Sequence, residues 1–126
     1  MAKANFLKER ADGFRENAQE NIKAERYYLA AFNLEQAIQL YLKYYLFLKL
    51  ADFPRTHSIK DLIRAIGKAY GKEKELEDIL NKEFQVIADL EETYISSRYL
   101  PSEFSPPQIE EMKRFTGELL DFLKKL

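Results

Sequence analysis

Cysteine and tryptophan are absent from this 126-residue chain, histidine occurs once, and glycine and proline occur four times each. Without cysteine there is no disulfide, no thiolate zinc site, no iron–sulfur cluster and no cysteine nucleophile. With one histidine, a His-rich metal centre would need ligands from another chain, and a Ser-His-Asp device could only be built on His57. Neither a metal nor a cofactor is expected. Charge of one sign is also missing. Twenty basic residues against 21 acidic ones give a net charge of −1 and a pI near 5.9, so no global positive field marks a binder of nucleic acid or anionic membrane. Long apolar runs are lacking too, since Gln39, Lys43 and Lys49 interrupt the richest stretch. The first five residues carry no apolar signal region. The expected setting is the cytoplasm, with no membrane contact.

What the chain does have is a 46% hydrophobic content with nine phenylalanines and eight tyrosines. A domain of this length buries roughly two-thirds of its unfolded surface, so residues 1–126 are expected to form a single domain. The apolar residues recur at helical spacing throughout. Leu7, Ala11, Phe14, Ala18 and Ile22 make one face of a first helix ending near Lys23. Ser58 reads as the N-cap of a third helix, with Asp61 in its first turn and Ile59, Leu62, Ile63, Ile66 and Tyr70 on its apolar side. A fourth amphipathic run carries Leu76, Leu80, Phe84, Ile87, Leu90 and Tyr94 and reaches about Arg98. Three prolines then mark a loop over 99–107, and Ser105, Pro106 and Gln108 form a capping-box pattern that opens the last helix. The fold expected is all-α, a five-helix antiparallel up-and-down bundle with two long helices.

The second helix, over 27–50, differs from the others. Leu34, Ala37, Ile38, Tyr41, Leu42, Tyr45 and Leu48 form one apolar stripe, and Leu40, Tyr44, Phe47 and Leu50 form another. A helix of this length spans roughly 36 Å, more than so short a chain covers on all sides. It is therefore expected to be both the central helix and a homodimer interface, the alternative being a wholly intramolecular core helix.

The stretch Tyr28-Leu29-Ala30-Ala31-Phe32-Asn33-Leu34-Glu35-Gln36-Ala37-Ile38-Gln39-Leu40-Tyr41-Leu42-Lys43 resembles the second helix of HEPN domains, the "higher eukaryotes and prokaryotes nucleotide-binding" family, in its Phe, Gln-Ala and Leu-Lys spacing. Pro54-Arg55-Thr56-His57-Ser58-Ile59-Lys60-Asp61-Leu62 resembles the family's loop into the third helix, and Ser97-Arg98-Tyr99-Leu100-Pro101 its Arg-Tyr-Pro end of the fourth. The resemblance implies a dimerising helical bundle, often encoded beside a small nucleotidyltransferase, with roles in nucleotide binding, toxin–antitoxin pairs or RNA cleavage. The sequence departs from the family at Gln39, where many relatives carry Glu, and at Leu40, where many carry Lys. The family's ribonucleases place histidine four to six residues after arginine. Here Arg55 precedes His57 by two, and no histidine follows Arg98.

A metal-independent ribonuclease needs a general base and a cation for the developing charge. His57 and Arg98 are the candidates, in a composite site at the dimer interface. Binding an anion asks less. The amides at the start of the third helix, with Arg55, Thr56, His57, Ser58 and Lys60, make a cluster of donors, Arg98 adds a fork and Tyr99 a stacking surface. Lys43 interrupts an apolar face, so its ammonium must snorkel, pair with a carboxylate or meet a phosphate. The bland alternatives are a capping or carbonyl-bonded His57, an Arg98 that only faces its helix C-terminus, and a packed Tyr99. Gln36 reads as structural, and Glu91 and Glu92 as solvated. The favoured expectation is a non-enzymatic partner with Arg55, His57, Ser58, Lys43, Arg98 and Tyr99 as ligand-binding residues, homodimeric through the second helix. It would engage a nucleotide, an RNA or a nucleotidyltransferase protein. The alternative is the ribonuclease toxin.

Overall fold

The computed structural model describes the backbone of residues 2–99 and 103–126 and the side chains of 5–93 and 103–126. The described residues form six helices and no strand: α1 (Ala2–Lys23), α2 (Tyr27–Leu50), α3 (Ile59–Tyr70), α4 (Glu73–Lys82), α5 (Phe84–Tyr99) and α6 (Pro106–Lys124). α2 is the hub, packed by α1, α3, α5 and α6, and α4 leans on α3 and α5. Its buried side carries Leu34, Ile38, Leu42 and Leu46, which meet Leu62, Ile63 and Ile66 of α3, Ile87 and Leu90 of α5, and Phe115 and Leu119 of α6 in one continuous core.

Local chemistry sets most boundaries. α1 ends without glycine or proline: Glu25 adopts the left-handed region at φ 58°, and the Arg26 N–H donates to the Asn21 carbonyl at 2.8 Å. That six-to-one bond is the Schellman closure, here at the cost of an L residue where glycine is usual. Ser58 caps α3 by accepting from the Asp61 N–H, and Gly71 ends it in the left-handed region. Ser105 and Gln108 complete the expected capping box on α6. Gly67 serves contact: a Cβ there would lie 3.1 Å from the Glu73 backbone, so glycine lets α3 and α4 approach closely. Residues 100–102 of the expected 99–107 loop lie outside the described residues.

The expected five helices are corrected to six, because the fourth run breaks at Glu83. No breaker stands there. Glu83 has φ −102° and ψ 23°, and its carboxylate is gripped from α6 by Arg114, whose Nη2 and Nη1 donate to Oε1 and Oε2 at 2.8 and 3.0 Å. Arg114 also bonds Glu111 and Glu118. The break is stabilised by a partner 31 residues away, which local periodicity does not register. The second stripe of α2 is only partly covered within the chain: Leu40 packs on the core, Tyr44 and Phe47 are half-buried, and Leu50 is 55% exposed.

The Arg114 hydrogen bonds hold the Glu83 carboxyl below its ordinary value of 4.5. As pH falls the unfolded chain binds this proton first, so the contribution is complete above that value and is lost as pH drops through the folded one. Arg114→Ala should lower the unfolding free energy by about 2 kcal/mol at neutral pH, since it leaves a buried carboxylate unpaired. It should also flatten the acid limb of stability, as urea denaturation across a pH series will measure.

Candidate functional site

α2 places polar side chains at Glu35, Gln39 and Lys43, four residues apart and therefore on one line of the helix. Glu35 is fully buried. Its Oε2 accepts from the Gln39 amide, and its Oε1 accepts from the Gln36 amide at 2.9 Å. Burial raises the Glu35 carboxyl above its ordinary value. The two amides pull against that shift, the negative Glu91 adds to it, and Lys43 opposes it. Burial likewise lowers the Lys43 ammonium, with Glu35 working against the shift and Arg55 with it. A carboxylate and an ammonium thus sit in one low-dielectric column, each desolvated and each favouring the other's charge.

The column opens toward the loop between α2 and α3. There the Lys43 Nζ lies 5.5 Å and the Arg55 Cζ 5.1 Å from the centre of the Phe53 ring, both within cation–π range. Phe53 borders a cleft of about 300 Å3 whose other walls include Phe6, Leu7, Phe47, Ala51 and Arg55. Arg10 stacks over Phe6 at 3.9 Å. Arg55 and the carboxylate of Asp52 thus line the cleft directly, while Lys43 and Arg10 adjoin it through the Phe53 and Phe6 rings.

The mouth of α3 is arranged differently from the sequence expectation. Its amides are engaged by the protein itself: the Lys60 N–H donates to Glu91 Oε1 at 3.2 Å, the Asp61 N–H to Ser58 Oγ at 3.2 Å, and the Leu62 N–H to the Ser58 carbonyl at 3.1 Å. Glu91 is thus a half-buried cap supplied by α5, not a solvated ion. Of the six residues expected to bind a ligand, Lys43 and Arg55 come together at Phe53. Ser58 is the α3 cap, and His57 is exposed beside it. The side chains of Arg98 and Tyr99 lie outside the described residues, so the His57 and Arg98 pairing does too. Gln36, read as structural, holds Glu35.

Sequence reasoning passed over Glu35, Gln39 and Phe53 as site residues. A signal was present for the first two: polar residues at i, i+4 and i+8 through an apolar helix mark a buried line that needs partners. Phe53 carries no such periodic mark. Its role comes from the loop folding Arg55 back over it, held in part by the Asp52 pairing at 4.0 Å.

The described residues thus form an all-helical bundle with a buried polar line leading toward an aromatic cleft that Arg55 and Asp52 also line. The chain belongs to the HEPN domain family, whose pattern it matches over residues 4–126. No curated protein gives a significant match. Among the described residues no helix is long and apolar enough to cross a membrane, and no three acidic or histidine side chains gather as around a metal ion.

Because the folded Glu35 carboxyl titrates above its unfolded value, the native state keeps a proton that the unfolded chain has lost between the two. This contribution therefore falls as pH rises through that window. Glu35→Gln removes the fall, so the stability of the variant relative to wild type should increase from about pH 4.5 and level off once pH passes the folded value. Chemical denaturation of both proteins at several pH values will measure the difference.

Proposed function

We propose that this HEPN domain is a nucleotide-binding module that acts as a homodimer with a small nucleotidyltransferase protein, as one half of a toxin–antitoxin-like pair in the cytoplasm. The observation that carries the reading is the Phe53 ring with Lys43 and Arg55 on it, open to the cleft beside Phe6 and Phe47. A nucleobase needs a π-face and its phosphates need cations, and this opening offers both within one ligand's length. The size falls at the lower end of small-molecule sites. Nucleotide binding and the transferase partner are also supported by the family to which the chain belongs.

Dimerisation is supported by the outward side of α2. Leu29, Phe32, Leu40, Phe47 and Leu50 follow one line, spaced by threes, fours and their sums, and each is half-buried or exposed. Gln36 and Lys43 lie on the same line, so a partner seated there borders the polar column. Catalysis is disfavoured by the Arg55 and His57 spacing, two residues where the family's ribonucleases have four to six.

Calorimetric titration with ATP and GTP tests the binding. Wild type should release heat, and Phe53→Ala should weaken the affinity by about tenfold or more, the usual worth of one stacked base. Equal affinities for wild type and Phe53→Ala would sink the assignment. Metal-independent RNA cleavage lost in His57→Ala would instead establish the ribonuclease. Light scattering tests the dimer: wild type should have twice the chain mass, and Leu40→Asp with Phe47→Asp should return it to one.

A further inference from the structure

A second polar concavity lies where α1, α2 and α6 meet, away from the Phe53 cleft. It encloses about 90 Å3 between Lys8, Arg15, Tyr41, Tyr44, Tyr45 and Lys124, with Asp12 on its wall. Asp12 is already engaged on both oxygens, since the Tyr41 hydroxyl donates to Oδ1 and Lys8 Nζ to Oδ2 at 3.0 Å. Burial works against its charge, but those donors outweigh burial and hold its carboxyl below the ordinary value. Three cations, Lys8, Arg15 and Lys124, therefore face one carboxylate, and the pocket's balance of charge is positive.

That surplus comes from Lys124 and from Arg15, which hydrogen-bonds Tyr41 and whose charge also favours the Asp12 carboxylate, although neither cation lies within salt-bridge distance of a carboxylate among the described residues. Arg15 is fitted rather than loose. Its Nη2 lies 3.5 Å from where a Cβ on Gly117 of α6 would stand, an ordinary packing distance, so the guanidinium rests against α6. Tyr44 and Tyr45 form an edge-to-face pair with centroids 5.0 Å apart. Both line the same concavity as Lys8. The backbone of this turn is pinned as well, since the Tyr70 hydroxyl of α3 donates to the Tyr45 carbonyl at 2.6 Å.

Two cations outside salt-bridge distance of a carboxylate and two phenol donors around a small concavity are the recognition chemistry of a compact oxyanion. The volume admits several waters. That is room for a tetrahedral phosphoryl group. We infer that this α1–α2–α6 pocket is a binding site for a phosphate group, with Arg15 and Lys124 as the charged ligands and Tyr44 and Tyr45 as hydroxyl donors. The inference is independent of the nucleotide reading, because it uses none of the residues at Phe53.

The test is calorimetric titration of the full chain with inorganic phosphate at fixed ionic strength, beside a sugar phosphomonoester. Wild type should bind, Arg15→Gln and Lys124→Gln should each weaken binding about tenfold, and the double variant should lose it. Lys74→Gln, which removes the same charge from an exposed position on α4, should leave it unchanged. Tyr44→Phe and Tyr45→Phe delete only the hydroxyls and should weaken binding with the helical circular dichroism intact, which separates lost ligands from lost fold. Tighter binding of the phosphomonoester assigns the pocket to the phosphorylated end of a larger molecule. Binding of the inorganic ion alone assigns it to free phosphate. Absence of binding at millimolar phosphate, equal affinity in the double variant, or loss of binding in Phe53→Ala overturns the inference.

Discussion

A 24-residue helix that is apolar on most of its circumference must be covered, and the other elements are arranged to do so. α1 folds back along it after a three-residue turn, α3, α5 and α6 close its buried arc, and α4 is attached through α3 and α5. Because four helices share that surface, α2 carries both the densest packing and, at Glu35, a buried carboxylate. A charge in such a place is tolerated only when its lone pairs are used, and the amides of Gln36 and Gln39 use them. The sites described here are therefore features of the helix on which stability rests most heavily. Substitutions that probe binding should be chosen from its edges.

The parts of this architecture readable in the sequence are those fixed by neighbours in the chain. The Ser58 and Ser105 caps and the Tyr27–Leu50 span follow from residues within a turn or two of each other. The break at Glu83 does not, because it depends on a guanidinium from α6. The Glu91 cap on α3 is hidden for the same reason: a glutamate among charged residues looks solvated until a helix start is packed against it. Glu25 is a third case. Nothing in its side chain ends a helix, and it takes the left-handed conformation because the α1–α2 packing demands a tight reversal.

Legibility of the candidate site divides along the same line. Lys43 stood out because an ammonium on an apolar face must find a partner, and it has one in the Phe53 ring and the field of Glu35. Arg55 stood out as a cation in a loop. The helix-mouth amides that made Ser58 and its neighbours attractive are used internally, so the cationic opening forms earlier in the same α2–α3 loop, at Phe53 and Arg55. Phe53 has meaning only beside Arg55 and Lys43, a relation that depends on loop conformation rather than spacing.

The Arg114 cluster also shapes the charge on one flank of the bundle. Its guanidinium is surrounded by Glu83, Glu111 and Glu118, and the adjoining groove between α5 and α6 adds Asp89. Acid outnumbers base on that flank, while Arg10, Lys43 and Arg55 gather near the opening by α1 and α2. A chain with almost no net charge is thus electrically two-sided. An approaching polyanion is turned from one flank and drawn to the other, and raising the salt concentration shortens the reach of that guidance.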